Sequence, residues 1–315
     1  MSSCSQPPSS DNPVPSLKIT GNYTGCGIGV FLEDGDPTSS EIDSYESLIS
    51  KEVAVVMWFK DFTCDFPTAS CEMIYNHKCI PMITWEPWKW ASTEVTYSLE
   101  NINAGNCDAY IQTFANAAKS WGKPLFLRFA HEMNGNWYPW SGALNGSDEA
   151  ATSKYKAAWR RIYATFEALG VTNVTWVWCP NNFDDPIASW NTAESYYPGD
   201  SYVDWIGIDG YSCADWNGCA SFDTLFDAIY NTFNSYGKPM MIGEMARSPD
   251  TDIGGKPSWI IGTFSKIHAN YTNIKLYVWF NKNKEYDWSV NSSPESLSAF
   301  RAAMTDEAYY LSTIH

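Results

Sequence analysis

Leu125–Trp137 reads LFLRFAHEMNGNW. An apolar run of strand length carries Arg128 in its middle, then ends in His131-Glu132, a tight Asn134-Gly135 and Trp137. Burying charge costs free energy unless it is paired. The segment therefore holds a metal site, a satisfied internal network or one half of a catalytic pair. Which of these applies depends on the fold that surrounds it.

Working outward, similar short β-branched or aromatic runs stand at Cys26–Leu32, Val53–Phe59, Cys79–Trp85, Val174–Cys179, Trp205–Ile208, Met240–Gly243 and Ile274–Trp279, making eight strands with Leu125–Ala130. Between them, Asp108–Trp121, Tyr155–Leu169, Phe222–Tyr236, Ser258–Ala269 and Glu295–Met304 carry apolar residues at helical spacing. Gly122, Gly170 and Gly237 supply helix stops. Strands alternating with helices imply parallel pairing, and eight such units close most simply into a single-domain (β/α)8 barrel. The alternative, a doubly wound open sheet, is disfavoured because the chain has neither GxGxxG nor a Walker motif.

Composition excludes whole classes of partner. A net charge of -16 and a pI near 4.5, with no Lys/Arg cluster, argue against nucleic acid and anionic membrane surfaces. No apolar run is long enough to span a bilayer. The 16 Trp and 19 Tyr fit either an aromatic core or stacking on sugar rings. Nine cysteines point to an extracytoplasmic protein, with Cys64–Cys71, Cys71–Cys79 and Cys213–Cys219 spaced for local disulfides. Sequons begin at Asn22, Asn145, Asn173, Asn270 and Asn291. Residues 1–18 read as a Pro/Ser-rich linker before a catalytic domain over 19–315. No export segment opens the chain, so the expectation is that one was removed, with Cys4 either an incidental thiol or the remnant of a lipoprotein anchor.

In a barrel, chemistry sits just past the strand C-termini. There the sequence places TWEPWKW from Thr84, His131-Glu132, Asn181-Asn182, Asp209 and Tyr211, Glu244, and Trp279. Glu132 and Glu244 follow the fourth and seventh strands, across the mouth from each other. Two opposed carboxylates are the minimum equipment for glycosidic cleavage.

RFAHEMNGNWYPW resembles the acid/base segment of glycoside hydrolase family twenty-six, and MMIGEMA its nucleophile strand. DWIGIDGY and VWFN resemble the sixth and eighth strands of that family, so the likeness runs from about Gly25 to Met304. The resemblance implies Glu132 as acid/base and Glu244 as nucleophile, with Tyr211 hydrogen-bonded to the nucleophile. It implies Arg128 beneath the carboxylates, and His131 orienting the region or touching sugar. Taken alone, Arg128 and His131 fit a satisfied network equally. Trp137 and Trp279 are expected to stack on sugar, Glu86 and Trp88 to line the site, and Asn181 to bind hydroxyls or cap its loop. No metal or cofactor is expected: a second zinc-binding histidine of HExxH would fall at Gly135.

The family's substrates are β-1,4-mannans, mixed-linkage β-1,3/1,4-glucans and β-1,3-xylans. TWEPWKW lacks the histidine of mannan-directed members, so the expectation is an endo-acting, retaining enzyme on mixed-linkage glucan. Mannan or xylan is the alternative, and a silent polysaccharide-binding barrel the bland one. It is expected to act as a monomer, secreted or at the cell surface.

Overall fold

The computed structural model describes residues 16–249 and 255–314. Eight strands, β1 (Cys26–Phe31), β2 (Val55–Asp61), β3 (Ile80–Glu86), β4 (Leu125–Phe129), β5 (Val174–Trp178), β6 (Trp205–Ser212), β7 (Met240–Arg247) and β8 (Ile274–Phe280), pair in parallel in chain order. β8 pairs with β1 and β1 with β2, so the sheet closes into the expected barrel. A short β9 (Tyr310–Leu311) joins β1 from outside. Closure removes every barrel edge and buries both faces of each strand, which is why the strands read as unbroken apolar runs.

The helices are α1 (Ser39–Ile49), α2 (Thr68–Asn76), α3 (Leu99–Ala104), α4 (Asp108–Trp121), α5 (Glu149–Ala168), α6 (Ala214–Asn217), α7 (Phe222–Asn234), α8 (Gly255–Asn270) and α9 (Pro294–Ala303). Gly122, Gly170 and Gly237 take the left-handed conformation at or just after the ends of α4, α5 and α7, as expected. The apolar stripe of α4, with Ile111, Phe114, Ala115 and Ala118, is buried against the barrel. Trp85 stacks on Phe114 at 4.3 Å, joining β3 to α4.

Two expectations are corrected. The barrel takes hold of the chain before residue 19: Leu17 N–H donates to Thr172 O at 3.0 Å and Lys18 pairs with Asp204 at 3.0 Å. Cys4 lies outside the described residues. Cys64, Cys71 and Cys79 are not bridged. Each serves locally instead: the Cys79 thiol donates to Val53 O at 3.1 Å, Cys64 faces Asp61, and Cys71 is buried in α2. Among the sequon asparagines, Asn173 is buried, and its amide donates to Ala118 O and Lys123 O, each at 2.9 Å.

That amide ties the end of α4 to the entry of β4, with no room for a glycan. Asn173→Ala should remove both bonds, leaving Ala118 O only the Gly122 N–H at 3.1 Å, and lower the stability by about 1–3 kcal/mol, read as a shift in urea midpoint. Glycan mapping of protein made in a glycosylating host should find Asn173 bare. A modified Asn173 in folded protein contradicts the assignment.

Candidate active site

Arg128 is fully buried at the centre of the barrel. Its guanidinium donates to Asp209 on β6 at 2.6 Å, to Glu244 on β7, and through Nε to Thr84 Oγ1 on β3 at 2.9 Å. The cost of desolvating the cation is met by the two carboxylates, and they hold its pKa well above the usual value. The charge in LFLRFAHEMNGNW is thus both a satisfied network and part of the site.

Glu244 owes its position to an irregularity. β6 pairs Ile208 with Ile242 and then Asp209 with Glu244, leaving Gly243 as an extra residue in β7. The bulge keeps two acidic residues of adjacent strands on the same side of the ladder. Only glycine fits there: a Cβ on Gly243 would stand 2.5 Å from Asp209 Oδ1 and 2.7 Å from Cys179 Sγ. From the cleft side, Tyr211 O–H donates to Glu244 Oε2 at 2.5 Å. Burial and the neighbouring Glu244 charge push the Tyr211 phenol far up, so it stays a donor.

Glu132 lies just beyond β4 with φ +52°, and Ala130 two residues earlier has φ +47°. Left-handed backbone is unfavourable for residues with a Cβ. Here it is held by its surroundings: Glu132 N–H donates to Cys179 O at 2.8 Å, Ala130 N–H to Trp85 O at 3.1 Å, and Trp140 Nε1 to His131 O at 2.7 Å. The Glu132 carboxyl accepts Trp137 Nε1–H at 2.7 Å. Burial, reinforced by the Glu244 charge and opposed by the Trp137 N–H and Arg128, raises its pKa to about 8. Glu132 is therefore protonated at neutral pH and can act as an acid.

A third carboxyl completes the set. Glu86 Oε2 accepts Trp88 Nε1 at 3.0 Å and Trp90 Nε1 at 2.5 Å, and burial lifts its pKa to about 7. Glu86, Trp88, Trp137, Asn181, Tyr211 and both catalytic candidates line one cavity of about 980 Å³. Asn181 also takes part in its loop's framework, its N–H donating to Asn134 Oδ1 at 2.8 Å. His131 supports rather than lines: it is buried, its Nε2 meets Tyr138 O–H at 3.1 Å, and burial with Arg128 nearby keeps it neutral.

Trp279 is the correction. Its ring is wholly buried outside the barrel, packed on Phe264 of α8 and Phe300 of α9, with Nε1 donating to Trp288 O at 3.0 Å. Strand residues alternate between faces, so Phe280, one position on, faces the cavity instead. The loop after β8 adds Trp288, anchored by Lys256 Nζ on the carbonyls of Asp287 and Ser289 at 3.0 and 2.7 Å. Trp90, Phe183 and Trp216 also line the cavity. Sequence reading missed Phe183, Trp216 and Trp288 as site residues, although Phe183 and Trp288 lie on the loops that leave β5 and β8, and Trp216 on the short α6 that follows β6.

A carboxyl kept protonated, facing a second carboxylate clamped by arginine and a phenol, is what glycosidic cleavage demands of a barrel mouth. Fold and site together define the class of glycoside hydrolases. The chain belongs to glycosyl hydrolase family 26, whose sequence profile matches residues 79–292. It is 38% identical over 298 residues to Endoglucanase H of Acetivibrio thermocellus, covering 92% of this chain and 31% of that protein. It is 30% identical over 152 residues to Mannan endo-1,4-beta-mannosidase A and B of Caldalkalibacillus mannanilyticus, covering 48% of this chain and 25% of that one. The chain thus spans less than a third of the length of either relative. Among solved structures, Bacillus subtilis mannanase man26 superposes with a TM-score of 0.67 at 20% identity, over 94% of this chain and 90% of that one, a likeness of fold.

The Trp137 hydrogen bond carries a signed prediction. It favours the ionised form of Glu132, so removing it raises that pKa. The alkaline limb of kcat/KM on polysaccharide, expected near pH 8 in the wild type, should move up by about one unit in Trp137→Phe. A limb that stays or moves down would show that Glu132 is not the acid being titrated.

Proposed function

We propose that the chain is an endo-acting, retaining β-glycanase that hydrolyses mixed-linkage β-1,3/1,4-glucan by double displacement. The observation that carries the mechanism is the asymmetry of the two carboxyls. Glu132 holds a proton at neutral pH, while Glu244 is paired with Arg128 and receives the Tyr211 hydroxyl. In the first step Glu132 protonates the glycosidic oxygen as a Glu244 oxygen attacks the anomeric carbon, forming a glycosyl ester and freeing the leaving chain. In the second, Glu132 takes a proton from water, whose oxygen displaces Glu244 and restores it. Two inversions leave the product in its original β configuration.

The reading of the substrate rests on two supports. At the end of β3 the cavity presents Glu86 held between Trp88 and Trp90, with no histidine. The relative aligned over 92% of the chain is named an endoglucanase, whereas the mannosidase aligns over 48%. Glu86 has one oxygen tied to two indoles and would use the other on a sugar hydroxyl. A cavity of about 980 Å³ with aromatic walls suits several rings of a chain, hence internal cutting. We place the enzyme outside the cell, as a monomer, where polymeric glucan is met.

Reducing-sugar release from barley glucan should exceed that from galactomannan and β-1,3-xylan, with oligosaccharides appearing before monosaccharide. A tenfold preference for mannan would move the chain to the mannanase branch. In Glu132→Ala, a dinitrophenyl glycoside should still form the glycosyl-enzyme, giving a burst and then slow turnover that azide accelerates to a β-glycosyl azide. Glu244→Ala should lose both substrates by several orders of magnitude. An α-azide, or full polysaccharide activity in Glu132→Ala, overturns the roles given to the two glutamates.

A further inference from the structure

Phe183, on the loop after β5, is 53% exposed, yet its loop is tied to a buried side chain. Fully buried Asn134 is the fastening: its Nδ2 faces Asn181 O at 3.0 Å, Phe183 O at 3.2 Å and Asp184 Oδ1 at 2.8 Å. Its own carbonyl accepts Asp185 N–H at 2.9 Å and the Asn191 amide at 2.8 Å. The same Asn191 amide reaches Pro186 O at 2.9 Å. The segment that carries Trp137 and the loop that carries Phe183 are therefore joined by several hydrogen bonds.

The two rings stand 6.4 Å apart at 56°, both on the wall of the catalytic cavity. Trp137, 40% exposed, donates to Glu132, the carboxyl that serves the departing oxygen, so it borders the sugar on the leaving-group side. Phe183 stands beside it on the same wall. A pre-ordered aromatic left open to water 6.4 Å from Trp137 is built for a ligand: it loses little entropy on binding, and its flat apolar face matches the C–H face of a pyranose.

We propose that Phe183 is the platform of a second leaving-group subsite, taking the pyranose ring one residue beyond the one at Trp137. The proposal rests on the retaining β-glycanase reading. In such an enzyme that subsite also receives acceptors: the acceptor hydroxyl oxygen bonds to the anomeric carbon, the ester to Glu244 breaks, and the hydroxyl proton passes to Glu132. A disaccharide acceptor covers both rings, whereas a monosaccharide reaches Trp137 alone.

The test compares transfer to a disaccharide with transfer to its monosaccharide, from a dinitrophenyl glycoside donor, within each protein. The ratio should fall about tenfold in Phe183→Ala and return in Phe183→Trp. An unchanged ratio overturns the subsite. A second measurement needs no turnover: Glu244→Gln, with and without Phe183→Ala, is run in native gels containing barley glucan, galactomannan or β-1,3-xylan. Weaker retardation with Phe183→Ala, in the polymer that retards the parent most, supports the subsite. Equal retardation, or none by any polymer, overturns it. A wild type that retards on a polymer yet never forms a glycosyl-enzyme sinks the proposed activity and leaves the gel to decide on Phe183.

Discussion

One buried guanidinium organises the centre of this barrel. Arg128 reaches Thr84 on β3, Asp209 on β6 and Glu244 on β7, and passes the Cys179 thiol at 3.7 Å beyond β5. Removing a cation and its partners from water costs several kcal/mol per ion, so the arrangement persists only if every donor finds its acceptor. That requirement reaches into the backbone. Gly243 must lack a Cβ so that Asp209 and Cys179 can close on the bulge. Strands that could otherwise slide in register are pinned by a side chain that is satisfied at one register only.

The same ion pair divides the labour between two glutamates. Glu244 touches the cation and Glu132 does not, while burial acts on Glu132 without an adjacent counter-charge. Its pKa moves from 4.5 to about 8. Below pH 4.5 both folded and unfolded states hold the proton and no stability is lost. As pH rises toward 8 the unfolded chain ionises and the folded one cannot, which by pH 7 costs about 3 kcal/mol. A left-handed backbone at Glu132 adds strain to that cost. The protein holds an acid ready at neutral pH at the expense of its own stability, and the hydrogen bonds to Cys179 O and Trp85 O and from Trp140 Nε1 keep the strained turn in place.

Sequence pattern read the barrel well because each stave is apolar on both faces and each main helix carries one stripe. It stopped short where polarity and pairing diverge. Trp205–Ile208 and Met240–Gly243 were expected as strands, yet both continue four residues further, since Tyr211 pairs with Ala246 and Ser212 with Arg247 despite their polar character. α1 and α2 are absent from the expected helices, although α1 carries Ile42, Tyr45 and Ile49 on one buried stripe behind a Thr38–Glu41 capping box. Trp279 failed for a parity reason. A strand's last residues alternate between cavity and helix layer, and nothing in IKLYVWF says which of Trp279 and Phe280 turns inward. Tyr277 and Trp279 both pack on Phe264, so the outward set follows from α8, an element distant in sequence.

This division between staves and loops also explains what family membership conveys. Arg128, Asp209, Tyr211 and Glu244 are strand residues whose positions follow from barrel registers, and Glu132 is one short turn away, so the hydrolytic chemistry travels with the fold. The rings that would meet a polysaccharide come mostly from elsewhere: Trp88 and Trp90 from the loop after β3, Phe183 from that after β5, Trp216 from α6, and Trp288 from the loop after β8. Each is fixed by local bonds, such as Glu86 on the two indoles or Asn134 on the Phe183 loop, with no role in closing the barrel. Such loops can change without disturbing the ion pair beneath them. A likeness that is strong on the staves therefore fixes the reaction more firmly than the sugar, and the substrate has to be argued from the rings themselves.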